Sequence, residues 1–234
     1  MRQAGQITAP FFEIGPKSYI YGDKILELAK IADAASKKYQ IDVIFTTPYT
    51  EIRSVVSHTE NIFVSAPHID PLYPGRGLAD ILPEAVKAAG AMAVMLNHVE
   101  KPLTYSSLAK TIRRANETGL KTIVCASSLA ETFAVAQLKP DVIVSEPEEL
   151  IGGIQRCSNH YIAECVQTTR GISPHTKVLI AAGISGRDDV YNTIFAGADA
   201  TGSSSGIMNA PDPEKMVYEM LEAARCAWND RHKK

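Results

Sequence analysis

Eight times along its 234 residues, this chain repeats one pattern: a short apolar run, a turn, then a segment whose apolar residues recur at helical spacing. Pro10 to Gly15 is the first strand candidate. Behind it Ile25, Leu26, Leu28, Ala29, Ile31 and Ala32 predict a helix over Asp23 to Tyr39. Asp42-Val-Ile-Phe-Thr-Thr is the second strand, and Thr50 is the expected cap of a helix ending near Thr59. Ile62 to Ala66 is the third, followed by a Pro- and Gly-rich loop, Pro67 to Gly77, and a helix over Pro83 to Ala89. The fourth, Ala91 to Leu96, leads to a helix over Thr104 to Thr118 that Gly119 stops. The fifth, Lys121 to Ala126, leads to a helix over Ser128 to Leu138.

Asp141-Val-Ile-Val-Ser is the sixth strand, with a loop over Pro147 to Asn159 and a helix over His160 to Thr169. The seventh, Lys177 to Ala182, precedes a helix over Arg187 to Phe195, and the short eighth, Asp199-Ala-Thr-Gly, precedes a C-terminal helix from Pro213 to Trp228. Several runs are apolar throughout, as parallel strands buried on both faces must be. An open doubly wound sheet shares the same alternation. Eight units in this length favour a closed α/β structure, a (β/α)8 TIM barrel forming a single domain over residues 1–234.

A net charge of −2 leaves no global field for gripping nucleic acid, so an anionic ligand must be held by local groups. No apolar run approaches the roughly 18 residues of a membrane span, and the N-terminus lacks a secretory core. Cys125, Cys157, Cys165 and Cys226 show no paired or metal-ligand spacing. They read as reduced packing residues of a cytoplasmic protein, Cys125 most clearly in the core.

Barrels of this kind place their sites at the C-terminal ends of the strands. Polar residues just past each apolar run are therefore the informative ones: Lys17 after the first, His98 and Glu100 after the fourth, Glu146 after the sixth. Gly183 to Gly186 and Gly202 to Gly206 follow the seventh and eighth. Taken singly, each has a structural explanation, as a hydrogen-bonded histidine, a solvated carboxylate or a tight turn. Together they describe a pocket for an anionic carbon acid.

These residues resemble the triosephosphate isomerase family, its short archaeal type in particular, over nearly the whole chain. Glu146-Pro-Glu-Glu-Leu-Ile-Gly-Gly is similar to the catalytic glutamate and its lid, and Leu96-Asn-His-Val-Glu to the catalytic histidine segment. Lys17 matches the substrate lysine, Ala182-Gly-Ile-Ser and Ser204-Ser-Gly match the two phosphate loops, and His68-Ile-Asp-Pro resembles part of the third loop. The chain departs from the family at four places: Gly15 stands where an asparagine is usual, Val99 for a serine, Lys101-Pro102 for an arginine, and Ile154 at the end of the lid.

The resemblance implies an isomerase interconverting an aldose and a ketose phosphate, glyceraldehyde 3-phosphate and dihydroxyacetone phosphate, through an enediol(ate). Glu146 would be the base, a neutral His98 the electrophile, and Lys17 the cation beside the developing charge, with Asn97 and Glu100 in support. Gly15, Gly152, Gly183, Ser185, Ser204, Ser205 and Gly206 would line the substrate and its phosphate, and Gly152 and Gly153 would hinge the lid. It implies a role in glycolysis and gluconeogenesis, no cofactor, and a homodimer or homotetramer contacting through Tyr73 and Arg76. No metal is expected, because His58, His68, His160, His175 and His232 do not cluster with other ligands and read as surface or structural residues. Asp70, Asp188 and Asp189 read as loop or helix-start acids, and Arg231-His-Lys-Lys as a solvated end. The departures keep open an isomerase or epimerase of another short phosphosugar, such as a tetrulose phosphate. A barrel that binds a phosphate ligand without turning it over is the alternative class.

Overall fold

The computed structural model describes residues 6–150 and 155–233. Eight parallel strands close on themselves in sequence order: β1 (Phe11–Ile14), β2 (Asp42–Thr46), β3 (Ile62–Ala66), β4 (Ala93–Leu96), β5 (Lys121–Ala126), β6 (Val142–Ser145), β7 (Lys177–Ile180) and β8 (Ala200–Ser203). Closure is made by β1 pairing with both β2 and β8, Glu13 facing Ile44 on one side and Gly202 on the other. Around the barrel lie α1 (Asp23–Tyr39), α2 (Ile52–His58), α3 (Pro83–Ala88), α4 (Tyr105–Glu117), α5 (Leu129–Ala136), α6 (Asn159–Ile172), α7 (Arg187–Phe195), α8 (Ser205–Met208) and α9 (Pro213–His232).

The period of two sorts each strand's side chains between two cores. Phe11, Ile44, Phe63, Ala93, Ile123, Val142, Leu179 and Ala200 point inward and fill the barrel. Phe12, Ile14, Val43, Phe45, Val64, Val94, Val124 and Ile143 point outward and pack against the helices. Both sets are apolar because neither face meets water. Burial of each large side chain stabilises the fold by about 1.5–3 kcal/mol.

Three aspartates tie the N-terminal ends of the strands together. Asp42 accepts from the Thr8 amide at 2.8 Å, Asp141 from the Thr122 amide at 2.9 Å, and Asp199 from the Val178 amide at 2.9 Å. The helices start where local chemistry dictates. Thr104, Ser128, Ser158 and Asp212 accept from the Ser107, Glu131, Tyr161 and Lys215 amides, relieving donors that a first turn leaves unpaired.

Some expectations shift. Thr50 caps nothing: it lies in a 3-10 turn, Tyr49–Glu51, its hydroxyl bonding Glu51, and α2 starts at Ile52. The run after the eighth strand is not all loop, since α8 follows β8 after one residue. The C-terminal cationic segment is not simply solvated. Arg231 donates to the Ala198 carbonyl at 2.9 Å and lies over the Trp228 ring at 4.5 Å. His68 is buried, and its Nε2 lies 3.3 Å from Asp70, which also accepts from the Ile81 amide at 2.7 Å. That bond and Arg114, which binds the Leu72 carbonyl, Glu84 and Glu117, fix the long third loop. Tyr73 lies on the Arg114 guanidinium at 3.8 Å while remaining exposed.

Candidate active site

A cavity of about 860 Å³ opens at the C-terminal ends of the strands. Gly15, Lys17, His98, Glu100, Glu146, Gly183, Ser204 and Ser205 all line it. Ser185, Gly206 and Asn97 are not among its lining residues, and Gly152, Gly153 and Ile154 lie outside the described residues.

Lys17 is carried past β1 on a backbone turned left-handed, at φ 47°. Its ammonium reaches across the mouth to Glu100 Oε1 at 3.0 Å. Burial works against the charged form of Glu100, but the bond to Lys17 and its charge prevail and hold the carboxyl below its usual range. The pair is exposed enough for water to screen it, so its use is to place the lysine more than to stabilise the fold.

His98 is aimed by its neighbours. Asn97 takes a left-handed conformation, φ 58°, immediately after β4. Its side chain spans two elements, donating to the Cys125 carbonyl at 3.0 Å and accepting from the Leu103 amide at 2.9 Å. The Glu100 amide then donates to His98 Nδ1 at 3.1 Å. A ring nitrogen that accepts carries no proton, which leaves the N–H on Nε2. Burial chiefly, and the Lys17 charge next, lower the His98 pKa against the pull of Glu100, so the ring is neutral at neutral pH. A neutral imidazole with one aimed N–H is a hydrogen-bond donor that also accepts protons.

Glu146 continues the β6 ladder, its amide bonding the Ala126 carbonyl at 2.9 Å. Its side chain is half-buried in the cavity wall. Burial raises its pKa, Lys17 opposes, and Glu100 adds to the rise. A more basic carboxylate in a partly dried site is suited to taking a proton from carbon.

The two small-residue loops after β7 and β8 interlock. Ser203 Oγ donates to the Ile184 carbonyl at 2.8 Å. A side chain at Gly206 would collide with that same carbonyl at 2.5 Å, and one at Gly183 with the Gln155 carbonyl at 1.9 Å. Gly183 also sits at φ 66°. The Ser185 amide and hydroxyl both donate to Asp189, at 3.0 and 2.7 Å. Asp189 is thus a loop staple, and the Ser185 amide faces it instead of the cavity. The leading amides of α8, at Ser205 and Gly206, have no partner inside so short a turn.

The model of the triosephosphate isomerase family matches residues 17–208. The chain belongs to that family. The triosephosphate isomerase of Saccharolobus solfataricus is 34% identical over 92% of this chain and 96% of its own length. That of Sulfurisphaera tokodaii is 36% identical over 91% and 94%, and that of Methanocaldococcus jannaschii 33% over 86% and 93%. Among solved structures, the triosephosphate isomerase of Bartonella henselae superposes with a TM-score of 0.75 at 14% identity, covering 93% of this chain and 99% of that one, which is a likeness of fold.

Several features of the site escaped the sequence reading, among them His68 and Asp70, which read as structural or loop residues and also line the cavity. Cys125, read as a core residue, is buried but lines the cavity. Glu13 also lines it, from within β1. The signal for Glu13 was a charged residue inside the apolar run Phe11-Phe-Glu-Ile. Among the described residues, no group of three or more His, Cys, Asp and Glu could hold a metal ion.

Proposed function

We propose that the chain performs its family's reaction, interconversion of glyceraldehyde 3-phosphate and dihydroxyacetone phosphate, with Glu146, His98 and Lys17 acting on one bound triose. One observation carries this assignment: the three side chains, 129 positions apart from first to last, line a single cavity in a chain of this family.

The Glu146 carboxylate takes a proton from the carbon next to the carbonyl, and an enediolate forms. The same carboxyl, now an acid, returns the proton to the neighbouring carbon. His98 Nε2–H donates to the carbonyl oxygen and recovers a proton from the adjacent hydroxyl, so each group ends as it began. The Lys17 ammonium offsets the charge that grows on oxygen, where a preorganised donor contributes about 3–4 kcal/mol to barrier lowering. Gly183, Ser204, Ser205 and Gly206 bound the phosphate end, where lack of bulk and leading helix amides favour an anion. A lid closing from Pro147 onward would exclude water that diverts the intermediate, its glycines Gly152 and Gly153 lying outside the described residues.

The enzyme works in the cytoplasm as a homodimer or homotetramer, the third loop forming the contact. Leu78 and Tyr73 on that loop are exposed apolar groups that a partner would cover. Among the described residues no helix is long and apolar enough to cross a membrane.

A coupled assay with glyceraldehyde 3-phosphate should show turnover by the native chain. His98→Asn should lower kcat by about a hundredfold or more. Turnover of a four-carbon ketose phosphate in preference to the triose would reassign the substrate.

A further inference from the structure

Beyond the three acting side chains, the cavity lining includes the buried carboxyl of Glu13. We propose that Glu13 is a substrate-contacting residue: its carboxyl, set in the cavity lining beside Gly15, hydrogen-bonds an oxygen of the bound phosphosugar. The assignment rests on the site described under Proposed function.

The register makes Glu13 an inward residue. Phe11, two places earlier, points into the barrel, and the period of two carries Glu13 to the same side one layer nearer the mouth. There it lines the cavity while only 9% exposed. Its Oε1 is buried and makes no well-formed hydrogen bond, and the Thr46 hydroxyl of β2, which also makes none, lies close enough to lower the Glu13 pKa. A buried carboxyl oxygen without a full hydrogen bond is costly, and a substrate oxygen seated in the cavity would relieve that cost. Two glycines make room for the group. A Cβ at Gly15 would lie 3.0 Å from Oε1, and one at Gly202 would lie 2.9 Å from Glu13 Cβ and 3.1 Å from Oε2.

The charged and polar neighbours decide its protonation. Lys17 follows in the turn after β1, Thr46 approaches from β2, Cys125 from β5, Glu146 from beyond β6, and Ser204 Oγ lies across Gly15 from it. Burial chiefly, with the Glu146 charge adding, raises the Glu13 carboxyl to about 7, the Thr46 hydroxyl and Lys17 pulling it down. Near neutral pH a large share is therefore the neutral acid, which donates an O–H. Ionised, it would set a second anion beside Glu146 and an anionic substrate. The active form is the protonated one, and it is lost as pH rises through about 7.

The experiment follows kcat, KM and kcat/KM against pH for the native enzyme, Glu13→Gln and Glu13→Leu, with thermal melts to check folding. Glu13→Leu should lose about tenfold or more in kcat/KM, as expected for an unmade hydrogen bond in a buried site. Glu13→Gln keeps a donor but cannot ionise. It should stay within a few-fold of native below pH 7 and lack the fall above pH 7 that the native enzyme shows. The phosphate's own second ionisation, near 6, is common to all three and cancels in the comparison. A folded Glu13→Leu with native kcat/KM and pH profile overturns the proposal. So does a Glu13→Gln that keeps the native decline, a result readable even if the leucine variant fails to fold. Loss of turnover in Glu146→Gln alongside a silent Glu13 condemns this inference alone; turnover surviving in Glu146→Gln condemns the site itself.

Discussion

Gly183 holds its place for two reasons that act together. Its backbone is left-handed, and a side chain there would meet the Gln155 carbonyl at 1.9 Å, backbone that has nowhere to yield. Gly183→Ala should therefore raise KM several-fold by displacing the loop after β7, the proposed phosphate loop, and destabilise the fold by about 1–3 kcal/mol. Steady-state kinetics and a denaturant titration measure the two effects. At this scale the chain was partly legible. Lys17, His98 and Glu146 follow from one geometric rule, that polar residues past apolar strands face the mouth. Glu13 did not follow from it, because the rule looks beyond strands and this carboxyl lies within one. Its inward direction depends on strand parity, which apolar runs without alternation do not display. Cys125 is the core residue its apolar run suggests, and it lines the cavity as well, since a small apolar residue near the top of the barrel belongs to both. Nothing in the sequence indicated that the Ser185 amide is spent on Asp189, a local contact decided by how the loop turns.

Among the elements, the aspartates at the strand starts do the quiet structural work. Asp199 precedes β8 and accepts from the Val178 amide, a buried donor, while Arg170 binds its other oxygen at 3.0 Å. Asp199→Ala would leave that amide without its partner. The expected loss is about 1–3 kcal/mol, seen as a lower melting temperature with kcat unchanged, because the residue sits at the end of the barrel away from the cavity. Equal melting temperatures would show the bond to be dispensable. Element positions were legible from periodicity; their ends depended on caps. Thr104, Ser128, Ser158 and Asp212 each stop a strand-like approach and start a helix by accepting an amide three residues on. Thr50 has the same chemistry, but its hydroxyl turns to Glu51, and the helix starts later. The short α8 escaped because four residues cannot show a helical period.

For the whole molecule, the number of βα units decided closure, and the pairing of β1 with β8 completes it. Because all eight strands run parallel around a closed barrel, the ends of β1, β4 and β6 share one rim. That shared rim is why Lys17, Glu100, His98 and Glu146 perturb one another electrostatically although they lie far apart in sequence. The proposed mechanism depends on this convergence, and on Glu146 before all else. The most direct measurement is kcat for isomerisation by Glu146→Gln, an amide of almost the same shape that cannot take a proton from carbon. A fall of about a hundredfold or more, with the melting temperature preserved, is the predicted result. A well-folded Glu146→Gln enzyme turning over at the native rate would contradict it.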